Sequence, residues 1–140
     1  MESRVEKTIE NHKKGYNCAQ AVACAYCDLV GVDEETMFRM TEGFGAGMGG
    51  MECTCGAVSG AVALAGLTNS QGAAEKKTKG STYKLSKELV RRFREMNQTV
   101  VCRELKGLET GETLRSCDGC IRDAAILAEE ILFQKIQKDQ

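Results

Sequence analysis

Apolar residues recur along this chain at helical spacing. Val5 and Ile9, with His12, share one face of residues 2–13, and Leu85, Leu89, Phe93 and Met96 share one face of a later segment. A last run carries Ile121, Ala124, Ala125, Ala128, Ile131 and Leu132 in the same rhythm. No sustained alternation of β-branched residues argues for a sheet. The pattern predicts an all-α, single-domain bundle of about five to six helices over residues 1–140.

The polar positions between these runs read as helix ends. Gly15 closes the first helix, and Asn17 with Gln20 forms a capping pair that opens a second through Val30, ended by Gly31. Asp33, with Glu34 and Glu35 behind it, caps a third that runs to Glu42. The stretch Gly43-Phe44-Gly45-Ala46-Gly47-Met48-Gly49-Gly50 is too glycine-dense for regular structure and reads as a shaped loop. Thr54 is then an N-cap for a fourth helix starting at Cys55, whose Gly56, Ala57, Gly60, Ala61 and Ala65 suit close, central packing. A polar connection through Gly80 leads to the basic fifth helix, a short turn holds Cys102, and Ser116 caps the last helix.

Composition narrows the function. The formal charge of −1 gives no global field for nucleic acid, and the apolar stretch from Ala57 to Leu67 is far short of the roughly 18 residues of a membrane span. The first residues lack the basic-then-apolar order of a secretory signal, so the expected setting is a reducing cytoplasm, where a disulfide framework is disfavoured. Against that background eight cysteines stand out.

On the capping pattern, Cys18, Cys55 and Cys117 each take the first position of a helix, and Cys102 the third position of a turn capped by Thr99. Helix N-termini favour thiolates, which are both the nucleophiles and the metal ligands. The competing reading is four small buried residues. Cys24 and Cys27 point away from Cys18 around their helix, while Cys53 and Cys120 read either as resolving thiols or as packing. Cys24/Cys27 and Cys117/Cys120 are Cys-x-x-Cys pairs, too far apart in sequence for a zinc ribbon, and neither is followed by the histidine of a haem attachment site. No strand or Gly-Lys-Ser/Thr ending supports a nucleotide reading of the glycine loop. Gly45, Gly47 and Gly49 instead offer backbone N–H groups to a thiolate or bridging sulfide beside Cys55, or make a tight interhelical turn. His12 is given no role, and acid–base work would fall to Glu42, Glu52 or Glu104. The basic segment from Glu75 to Arg94 is a solvated face or a dock for an acidic redox partner. The small-residue helix faces, with Cys24 and Cys27 outward, also suit a homodimer interface.

The stretches Asn17-Cys18-Ala19-Gln20-Ala21-Val22, Gly43 to Gly49, and Cys55-Gly56-Ala57-Val58-Ser59-Gly60 resemble the C_GCAxxG_C_C family, as do Cys102-Arg103-Glu104-Leu105 and Cys117 ahead of Ile121-Arg122-Asp123. The resemblance implies redox activity at Cys18, Cys55, Cys102 and Cys117, and a distant likeness to the non-haem part of split-Soret cytochromes implies an iron-sulfur centre on them. Ala46, where glycine is common, and the additional Cys24, Cys27, Cys53 and Cys120 depart from the family pattern. Three chemistries follow: electron transfer through an iron-sulfur cluster, thiol–disulfide exchange with Cys55 as nucleophile, or structural zinc without catalysis.

Overall fold

The computed structural model describes residues 2–134 and contains seven α-helices among them. They are α1 (Val5–Lys13), α2 (Cys18–Cys24), α3 (Glu34–Thr41), α4 (Gly56–Asn69), α5 (Lys79–Asn97), α6 (Cys102–Lys106) and α7 (Cys117–Leu132). Short 3-10 turns at Cys27–Val30, Glu42–Phe44 and Lys76–Thr78 join them, with a wide helical turn at Gly47–Met51. No described residue belongs to a strand; the nearest thing is one antiparallel pairing of Thr54 with Val101. The all-α fold is as the periodicity predicts, with one helix more because the turn at Cys102 closes into α6. No described helix is long and apolar enough to cross a membrane.

Helix α4 lies at the centre, packed on α2, α7 and α5. It is apolar all round, and Ala57, Val58, Ala61, Leu64 and Ala65 are buried on it. Small residues let α2 come close: a Cβ at Gly60 would lie 2.6 Å from the Ala19 carbonyl oxygen. That crossing holds the N-termini of α2 and α4 side by side, with Cys18 Cβ 3.3 Å from where a Gly56 Cβ would stand.

Three boundaries differ from expectation. The second helix stops at Cys24 instead of running to Val30. There Tyr26 turns inward, its ring fully buried and stacked 5.1 Å from Phe133, while Arg4 donates to the Ala25 carbonyl at 3.0 Å. Tertiary packing and a side-chain partner thus take over from the helical ladder. Thr54 is not the cap of α4, because residues 53–55 run alongside residues 100–102: Cys55 N–H donates to Val100 O at 2.7 Å and Cys102 N–H to Cys53 O at 2.9 Å. Cys55 becomes the N-cap itself. The same pairing keeps residues before Cys102 extended, so Val101 is the N-cap of α6 and Cys102 its first residue, two places earlier in the helix than a Thr99 cap would set it.

Candidate functional site

Helix starts build one site. The Asn17–Gln20 capping box is complete, with Gln20 N–H to Asn17 Oδ1 at 3.0 Å and Asn17 N–H to Gln20 Oε1 at 2.9 Å, and Ser116 accepts from Gly119 N–H at 3.0 Å. These caps set Cys18 and Cys117 as first residues of α2 and α7. With Cys55 and Cys102 they line a cavity of about 260 Å³, which Cys120, Lys106, Arg115 and His12 also line. The structure therefore gathers the four cysteines singled out from sequence and adds a fifth, one turn along α7 from Cys117.

Burial separates their chemistry. Cys55 is the N-cap residue of α4, and the backbone N–H groups of Ala57 and Val58 at the start of that helix favour its thiolate. The neighbouring Cys120 thiol, then those N–H groups and the Lys106 charge, favour the thiolate against burial and bring Cys55 down to about 7. Cys120 is pushed up in turn, first by the neighbouring Cys55 sulfur and then by burial. Burial, with the neighbouring Cys55 and Cys117 sulfurs, drives Cys18 up to about 12, and burial also raises Cys102. The expectation of four thiolates stabilised by helix dipoles is thus corrected to one for which a lowered pKa is resolved, Cys55. A helix terminus contributes about 0.3–1 kcal/mol, less than the roughly 1.4 kcal/mol of one pKa unit, so desolvation overrides it at Cys18 and Cys102.

Lys106 was not visible as a site residue from composition, although it lies four residues after Cys102 and thus on the same helix face. Its ammonium donates to Cys117 Sγ. Burial pulls Lys106 down, but that contact and the Cys117, Cys18 and Cys102 sulfurs more than offset it and leave its pKa raised. Arg115 reaches over the start of α7 to the buried Asp123 carboxylate with two 3.1 Å bonds, and Asn97 donates to the same carboxylate at 3.1 Å. His12, given no role from sequence, lines the cavity with Nδ1 2.7 Å from Asp118 Oδ1.

The glycine loop shapes one wall. Ala46 and Met51 line the cavity, whereas Gly45, Gly47 and Gly49 do not. Gly47, at φ +55°, lies so close to Cys102 that a Cβ would stand 2.5 Å from the Cys102 Cβ, and one at Gly45 would stand 2.5 Å from Asn17 Nδ2. Gly49 has open space around it. Glu42, Glu52 and Glu104 also stay out of the cavity: Glu52 pairs with Arg103 at 3.6 Å and Glu104 bonds Thr99. Cys24 is buried on α2, Cys27 half-buried beyond its end and Cys53 exposed, and none of them lines the cavity.

Cys18, Cys55, Cys102 and Cys117 are the residues that would hold an iron-sulfur cluster, which takes four thiolates. Among the described residues no three or more His, Cys, Asp or Glu side chains are grouped so as to hold a metal ion. Comparison with curated proteins and with solved structures gave no match. The family profile described as "Putative redox-active protein (C_GCAxxG_C_C)" matches residues 16–131, which contain all five cavity cysteines, and the chain belongs to that family.

Proposed function

We propose that this chain is a thiol–disulfide redox protein in which Cys55 attacks and Cys120 resolves. The observation that carries the reading is that Cys55, the N-cap residue of α4, and Cys120, on the first turn of α7, line the same cavity with Lys106. The Cys55 thiolate attacks one sulfur of a substrate disulfide, the substrate S–S bond breaks, and a mixed disulfide forms as one substrate thiolate leaves. Cys120 loses its proton to that thiolate and attacks the Cys55 sulfur. A Cys55–Cys120 disulfide forms, the second substrate thiolate is released, and two electrons have passed from protein to substrate. Lys106 offsets negative charge among the sulfurs throughout.

A second reading is favoured by a separate observation, the cavity of about 260 Å³ bounded by Cys18, Cys55, Cys102 and Cys117, which is more room than a dithiol needs. These four residues would hold an iron-sulfur centre, which when bound supplies one-electron transfer. The chain's own part would be to exclude water and to keep Lys106 beside the ligands.

One comparison decides between them. Protein prepared without oxygen is incubated with oxidised glutathione, alkylated and peptide-mapped, and its iron, sulfide and visible absorption are measured in parallel. A Cys55–Cys120 disulfide that disappears in Cys120→Ser supports exchange; both residues recovered as alkylated thiols would sink it. Iron and visible absorption that survive Cys120→Ser but vanish in Cys18→Ser, Cys102→Ser and Cys117→Ser establish the second reading instead.

A further inference from the structure

A larger cavity, about 610 Å³, lies on the other side of the segment that walls the thiol site. Val58, Val62 and Ala63 of α4 and Val90 of α5 floor it, and Phe44 and Met48 of the glycine loop close one end. Met48, 46% exposed with a left-handed backbone, presents an apolar side chain to solvent there. Along the α5 wall stand Lys87, Arg91 and Arg94. Arg91 is neutralised by Glu88 at 2.6 Å and Glu95 at 2.5 Å, but Lys87 and Arg94 have no carboxylate partner among the described residues.

We infer that this groove docks an acidic amphipathic helix of the redox partner protein. The lining residues Ser86, Val90 and Arg94 repeat every four positions along α5, a stripe of about 12 Å at 1.5 Å per residue, which matches two turns of a helix laid in a groove. Apolar side chains of the guest cover the valine floor, and its carboxylates meet the two unpaired cations. The groove also adjoins the redox centre along the chain. Thr54 lines it while Cys55, the next residue, lines the thiol cavity, and Val58 on the first turn of α4 lines the groove. Val58 stands three residues, less than one helical turn, along α4 from Cys55. The inference rests on the exchange reading for what the partner delivers, not for whether it binds.

The test uses the full chain carrying Cys55→Ser, so that binding is read without thiol chemistry. The probe is a fluorescein-labelled peptide with leucines at the i, i+3, i+4, i+7 spacing and glutamates on its flanks, compared by anisotropy with the same peptide carrying lysines. The acidic peptide is expected to bind about tenfold more tightly than the basic one at low salt, and to lose about tenfold in the double variant K87E/R94E. K84E, exposed on α5 outside the groove, should leave binding unchanged. Equal binding of the two peptides, or no response to K87E/R94E, overturns the proposal. So does displacement of the assignment to another occupant: dodecanoate bound where the peptide is not, or self-association that Val62→Asp abolishes. Peptide binding retained in a protein whose wild-type form never makes the Cys55–Cys120 disulfide would overturn the exchange reading alone.

Discussion

Cys55 differs from the other cavity sulfurs first in its Cys120 neighbour and then in its place by one position. Cys18, Cys102 and Cys117 are first residues of helices, whereas Cys55 is an N-cap, the place from which a side chain reaches the free N–H groups of the next residues. With the neighbouring Cys120 thiol, Cys55 should titrate near 7 against an ordinary thiol value of 9.0. Its alkylation by iodoacetamide should therefore rise through about pH 7 and level off before pH 9, and in Cys120→Ala the midpoint should move upward, since that variant removes the largest cause of the shift. An unchanged midpoint would mean that the backbone groups alone hold the thiolate. Folding stability carries the same sign: the thiolate's contribution is full above the unfolded pKa and is lost as pH falls through about 7. Gly47 is a second sensitive position, because an added methyl meets Cys102 Cβ at 2.5 Å and a φ of +55° disfavours any side chain. Gly47→Ala should cost about 1–3 kcal/mol in urea unfolding and leave Cys102 more readily alkylated. From sequence, capping placed Cys18 and Cys117 at helix starts correctly, whereas Cys55 and Cys102 reach theirs through the distant pairing of residues 53–55 with 100–102; the ranking was not legible, because desolvation depends on what covers each sulfur.

At the scale of elements, caps translate directly into site geometry. Ser116 holds the first turn of α7, which carries both Cys117 and Cys120, so Ser116→Ala should lower stability by about 1 kcal/mol and slow formation of the Cys55–Cys120 disulfide together. Loss of stability with disulfide formation unaffected would show that Arg115 and Asp123 position the turn without the cap. Asn17, Asp33 and Ser116 could be read as caps because their partners lie within three residues. Thr54 and Thr99 were misread for the opposite reason: residues 53–55 and 100–102 pair across more than forty positions, and that pairing decides where α4 and α6 begin. The end of α2 depends on Tyr26 reaching Glu129 at 2.5 Å, another distant partner that local pattern does not reveal. Cys120 and Lys106 did carry a local signal, at three residues from Cys117 and four from Cys102, which helical periodicity places beside the site.

Across the whole molecule, the proposed exchange would join the two helices about which the core is organised. Helix α4 packs on α7 through small residues, with Ala61, Ala124, Ala125 and Ala128 buried, and Cys55 and Cys120 line one cavity between them. Any strain that the disulfide places on the native helices subtracts from the constraint it places on the unfolded chain. The loop closed between them is about 65 residues long, for which loop-closure entropy gives about 4 kcal/mol as an upper figure. Oxidised protein should therefore resist urea unfolding by about 2–4 kcal/mol more than reduced protein, and Cys120→Ser should show no such difference between oxidising and reducing conditions. An oxidised form no more stable than the reduced one would place the disulfide between other cysteines or reveal a strained one. The sign also has a functional consequence: a disulfide that stabilises the fold is reluctant to be reduced, so a dithiol at this position favours giving electrons to a substrate disulfide over receiving them.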